Sequence, residues 1–145
     1  MPAGSGGLLC KEEAMKYYLA SGVENAARVN AAAKVLDGNG HERTYDWTVH
    51  GSVARAEESF KTRVAETEAK AVAAAETVIV LLPGAKGTHA ELGMALAGNA
   101  ERVLIWSETA SPFDGTDGYC VFYHHPKVER FTGPFEAFLE VLKNL

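Results

Sequence analysis

The sequence predicts an α/β domain built on a parallel sheet, and three observations predict it. Residues 78–82 are an unbroken run of valine, isoleucine and leucine, the pattern of a strand buried on both faces. That run ends at Pro83-Gly84 and passes through Gly87-Thr88 into an alanine- and leucine-rich segment, so strand, tight loop and helix follow one another. Elsewhere, short apolar runs alternate with longer helix-forming stretches. Five strands alternating with four helices require right-handed crossovers and a sheet covered on both sides.

The elements follow in order. Residues 1–14 are Gly-rich and then charged, without periodicity, and read as a leader or frayed extension ahead of a domain over 15–145. Residues 17–20 form a first strand ending at Ser21-Gly22. A helix over 26–36 places Ala27, Val29, Ala32, Ala33 and Leu36 on one face and stops at Asp37-Gly38-Asn39-Gly40. The second strand is 43–47. Residues 52–75 are strong helix formers with an apolar stripe through Phe60, Val64, Ala71, Val72 and Ala75. The third strand, 78–82, leads into a helix over 88–96, and the fourth strand is 102–106. Residues 108–118 are too polar to pack and form a candidate lid. A fifth strand is expected at 119–123, and Gly133-Pro134 opens a closing helix, 135–145, with Phe135, Phe138, Leu139 and Leu142 on one face. The expected strand order is 2-1-3-4-5, that of flavodoxin-like and Rossmann-like folds. In that order the loops after Ala20 and Leu82 face each other across the switch point, bringing Tyr18, Ser21 and Gly22 towards Gly84 and Glu91.

Composition excludes several functions. A net charge of -5 without any Lys/Arg cluster argues against a nucleic-acid polymer or an anionic membrane as partner. No apolar run approaches a membrane span and no secretory signal is visible, so a cytosolic protein is expected. Two distant cysteines, Cys10 and Cys120, suggest reduced thiols. The five histidines are scattered, so neither a metal site nor a cofactor is expected.

The loop after the third strand carries the chemistry. Gly84 and Gly87 allow close backbone approach, while Lys86 and the helix amides offer positive potential to a phosphate or carboxylate. Glu91, read as lying in the first helical turn, would be held ionised by the helix dipole, which suits a nucleophile. A structural alternative stands beside this: Thr88-His89-Ala90-Glu91 is also a capping box, with Glu91 turned back to the Thr88 amide. Glu68 lies four residues from both Val64 and Val72, which puts a carboxylate on or beside the buried stripe. The alternative is a stripe-edge position reaching water, and Glu57 falls on a similar face.

Tyr18-Leu19-Ala20-Ser21-Gly22, Thr44-Tyr45-Asp46-Trp47-Thr48 and Gly87-Thr88-His89-Ala90-Glu91-Leu92-Gly93 together resemble the nucleoside 2-deoxyribosyltransferase superfamily, which includes the 2'-deoxynucleoside 5'-phosphate N-hydrolases. The resemblance covers roughly residues 15–107. It implies cleavage or transfer of an N-glycosidic bond, with Glu91 as nucleophile, Tyr18 orienting it and Glu68 assisting departure of the base. The last assignment follows from spacing within the resemblance, since Glu68 stands eight positions before Glu76, as the family carboxylate precedes the acidic residue heading the third strand. Ser21, Gly22, Asp46, Trp47, Gly84, Lys86, Gly87, Thr88 and His89 are the implied substrate contacts. Trp47 would stack on the base or simply fill the core, and Asp46 would contact the sugar or pair with Arg43. The chain departs from the family pattern in having glutamate at 68, where aspartate is usual, and Ala85 where the monophosphate hydrolases carry a phosphate-gripping serine. Members are commonly homo-oligomers, so a homodimer is implied.

Residues 83–91 are also similar to the Pro-Gly-Gly-x-Gly-Thr-x-x-Glu loop of phosphoribohydrolases, a pattern that Ala85 interrupts. Both resemblances imply an N-glycosidic bond. A module that binds a nucleotide without cleaving it is the alternative of a different class.

Overall fold

Four consecutive residues of strand β1 (Lys16–Ser21), Tyr17 to Ala20, are wholly removed from solvent, as expected of a strand in the middle of a covered sheet. The computed structural model describes residues 14–145, so the expectation for 1–14 falls outside the described residues except at Ala14. β1 pairs in parallel with β2 (Glu42–Arg43) on one side and with β3 (Thr77–Leu81) on the other. β4 (Arg102–Ser107) and β5 (Val128–Thr132) extend the sheet, giving the expected order β2-β1-β3-β4-β5 with every pairing parallel. Tyr18 lies beside Val78 and Ser21 beside Leu81, so the loops leaving β1 and β3 emerge together.

Helices cover both faces. α1 (Ala26–Gly38) packs with the closing helix α5 (Phe135–Lys143), and α2 (Glu58–Ala74) packs with α3 (Lys86–Ala97). Under α5, Trp106 meets Phe135 edge-on at 5.1 Å and stacks towards Phe138 at 6.4 Å. A short helix α4 (Ser111–Asp114) lies within the polar 108–118 segment. Among the described residues no helix is long and apolar enough to cross a membrane.

Three elements differ from expectation, each for a local reason. β2 stops at Arg43 rather than running to Trp47, because the Asp46 carboxylate accepts the Thr48 amide at 2.9 Å and folds Trp47–Val49 into a single turn. α2 begins at Glu58 rather than Ser52, and Glu57 is the extended residue that precedes it. The fifth strand is Val128–Thr132, not 119–123, where Val121–His124 forms a 3-10 turn with Val121 and Phe122 exposed. A short apolar run does not by itself distinguish a strand from a turn. The true β5 is an edge strand and carries Glu129 and Arg130, so its hydrophobic signal is weak.

Candidate active site

Adjacent tyrosines on β1 point to opposite faces of the sheet. The Tyr17 hydroxyl donates to Asp37 on α1 at 2.7 Å, and the Tyr18 hydroxyl donates to Oε2 of Glu91 on α3, also at 2.7 Å. The first bond ties a helix to the sheet. The second positions a carboxyl.

Glu91 does not cap its helix. α3 starts at Lys86, and the amide of Ala85, which precedes it, donates to Thr88 Oγ1 at 3.0 Å, so Thr88 does the capping. Glu91 then falls in the second turn, where the helix dipole has largely decayed, and it is only 8% exposed. Burial is the main force pushing its carboxyl up to about 8, reinforced by contact with the Glu68 carboxyl and opposed by the Tyr18 hydrogen bond. Burial and the neighbouring carboxyl thus favour the neutral form of Glu91, the opposite of the pull expected from the helix dipole. The same burial, together with the two nearby carboxyls, pushes the Tyr18 phenol well above its usual range, so it acts as a neutral donor.

Glu68 sits on α2 with its side chain 24% exposed, its carboxyl meeting Glu91 at a cavity rather than reaching open solvent. Behind it lies His50, whose Nε2 is 4.0 Å from Glu68 Oε2. The His50 Nδ1–H donates to the Gly51 carbonyl at 2.8 Å, and its Nε2 is buried with no hydrogen-bond partner. Tyr45 and Phe60 hold the ring at centroid distances of 5.8 and 5.9 Å. Sequence reasoning passed over His50. The available signal was a histidine beside a glycine in the loop after the second strand, at the carboxyl end of the sheet.

The cavity, about 150 Å³, takes its walls from the switch-point loops. Ser21, Gly22, Trp47, Glu68, Gly87, Thr88 and Glu91 all line it, so most of the expected residues come together. Trp47 is both things expected of it, since its indole N–H donates to the Leu19 carbonyl at 2.8 Å in the core while the ring forms part of the wall. Asp46 is not brought to the cavity; it pairs with Arg43 at 3.2 Å and caps the Trp47 turn. Lys86 is exposed at the start of α3 and lines neither this cavity nor the one beyond the loop. A Cβ on Gly84 would lie 2.6 Å from Thr88 Cγ2, so that glycine serves packing within the loop.

Gly84 and His89 face a second cavity of about 460 Å³, on the far side of the same loop, with Arg28, Ser107 and Tyr123. His89 donates from Nδ1 to the Ala85 carbonyl at 2.8 Å and accepts the Tyr123 hydroxyl at Nε2, 2.6 Å away. Burial pushes that phenol up to about 12. The Arg28 guanidinium lies over the Trp106 ring at 5.2 Å.

No family model and no curated relative matches the chain. Among solved structures, the chain is similar to the CMP N-glycosidase BcmB of Clostridium botulinum, with a TM-score of 0.61 and 16% identity over 90% of this chain and 99% of that one. At that identity the likeness shows a shared fold.

Proposed function

We propose that the protein is an N-glycosidase acting on a nucleoside or nucleotide, with Glu91 as nucleophile. The observation that carries this reading is a buried carboxyl, oriented by a tyrosine hydroxyl at 2.7 Å and lining one cavity with a second carboxyl, at the switch point of the sheet. Glycosidic cleavage with a covalent intermediate needs one carboxylate and one carboxylic acid in the same site. A proton on Glu91 that can cross to Glu68 supplies both forms without help from solvent. After that transfer the Glu91 carboxylate attacks C1' as the C1'–N bond breaks, and the departing base takes the proton from Glu68. Water then hydrolyses the glycosyl ester of Glu91 with Glu68 as base, which restores one proton to the pair. Tyr18 holds the attacking oxygen in place and steadies its charge. Two further facts support the reading: the resemblance of the Gly87 to Gly93 segment to glutamate-nucleophile deoxyribosyltransferases, and the activity named for the structural neighbour, a CMP N-glycosidase.

The test is chromatographic. Wild type and Glu91→Gln are incubated with ribo- and deoxyribonucleosides, their 5'-monophosphates and NAD, and free base is measured. Release by wild type that falls at least about 10³-fold in Glu91→Gln supports the reading, since a nucleophile acts in the transition state. No release from any compound, with ligand binding intact in the variant, would make this a binding module instead.

A further inference from the structure

We infer that this site takes substrates with a neutral 5' end, nucleosides rather than nucleoside 5'-monophosphates; the inference rests on the glycosidase reading for the orientation of the substrate. With Glu91 below C1' and Glu68 at the departing base, the base lies against the Trp47, Gly51 and Glu68 wall. The rest of the lining, with Ser21, Gly22, Ala85 and Gly87, is then left for the 5' end.

That wall is poorly equipped for a phosphate. Three of its hydrogen-bond donors are already committed within the protein: Ser21 Oγ donates to the Leu81 carbonyl at 2.6 Å, the Gly22 amide turns to the Pro83 carbonyl at 3.4 Å, and the Ala85 amide is taken by Thr88 at 3.0 Å. The Ser21 hydroxyl is further fixed by the Asn25 side-chain amide, which donates to it at 3.0 Å. Among the described residues no lysine or arginine lines the cavity. Arg43 is paired with Asp46 at 3.2 Å, and Arg28 lies over Trp106 beside the other cavity.

A carboxylate stands at the rim instead. Glu24 leans over the Gly22 Cα so closely that a Cβ there would sit 1.9 Å from its Oε1. A phosphate entering this wall would meet the Glu24 carboxylate beside Gly22, and among the wall's own backbone donors it would gain the first amides of α3. A hydroxyl makes the same amide bonds, can donate to Glu24, and brings no charge.

The experiment compares kcat/KM for adenosine, 2'-deoxyadenosine, cytidine and 2'-deoxycytidine with that for each 5'-monophosphate, in wild type and in Glu24→Gln and Glu24→Lys. Wild type is expected to favour the nucleoside by about tenfold or more, and the ratio is expected to fall roughly fivefold in Glu24→Gln and further in Glu24→Lys as repulsion is removed and then reversed. Equal or faster cleavage of the monophosphates by wild type overturns the inference, as does a ratio that neither substitution moves. If wild type releases no base from any of these compounds, the glycosidase reading fails by itself, and calorimetric titration with the same pairs decides the 5' question. Tighter binding of the nucleoside then sustains the inference, while tighter or equal binding of the monophosphate, or binding of neither, overturns it.

Discussion

Tyr18 and Glu91 lie on different secondary-structure elements and on opposite sides of the β1–β3 switch point, yet a single 2.7 Å hydrogen bond joins them. The bond opposes the upward push that burial exerts on the Glu91 carboxyl. Removing it should therefore make Glu91 hold its proton more tightly. In Tyr18→Phe the falling limb of the pH profile of kcat/KM, where the pair loses the proton that the base must receive, is expected to move to higher pH, and kcat to fall about 10- to 100-fold through lost orientation of the nucleophile. A profile that drops in height without moving along the pH axis would count against the bond as a modulator of Glu91.

The same proton has a stability consequence. The folded state holds it up to about 8, against 4.5 for an ordinary glutamate, so between these values the folded protein binds more protons than the unfolded chain. The stability associated with the buried neutral carboxyl is present below the lower value and is lost as pH rises through the upper one. Glu91→Gln keeps the neutral form at all pH values. Denaturant unfolding of wild type should weaken by the order of a few kcal/mol from pH 5 to pH 9, and that weakening should be visibly flatter in the variant.

Gly84→Ala places a methyl 2.6 Å from Thr88 Cγ2 and forces either the loop or Thr88 to shift. We expect a loss of about 1–3 kcal/mol, with glycosidase activity falling as the α3 start moves. Thr88→Val separates the two effects, since it removes the acceptor for the Ala85 amide without adding bulk. A cost of about 1 kcal/mol is expected there from thermal unfolding.

Phe138 is buried between Trp106 and Phe131 where α5 meets the sheet. Phe138→Ala should cost about 3–5 kcal/mol in equilibrium unfolding. Because the site lies across the sheet from this contact, the folded fraction should retain wild-type KM.

The central strands were legible because β1, β3 and β4 are buried on both faces and so carry continuous apolar runs, and the strand order followed from them. Edges carry less information. β5 reads Val-Glu-Arg-Phe-Thr, with two charged residues side by side, so the more apolar 119–123 segment carries the stronger strand signal, and β2 ends early because of one side-chain acceptor, Asp46. Glu68 stood out as a carboxylate on an apolar stripe, and the sheet order alone brought Tyr18 towards Glu91. The protonation of Glu91 was not legible, because it follows from tertiary burial and from a carboxyl on another helix. His50 escaped for a similar reason: its relation to Glu68 is made by a loop returning over α2, and no periodicity marks a loop.

The two ends of the sheet are closed in different ways. β2 offers only two paired residues at one margin, too few to template another strand. At the other margin β5 carries Glu129, bound by both nitrogen arms of Arg102 at 2.8 and 2.7 Å, together with the charged Arg130. A neighbouring chain seeking to continue the sheet would have to strip water from these groups before gaining a single backbone bond. Strand-to-strand polymerisation is therefore opposed at both margins of the sheet.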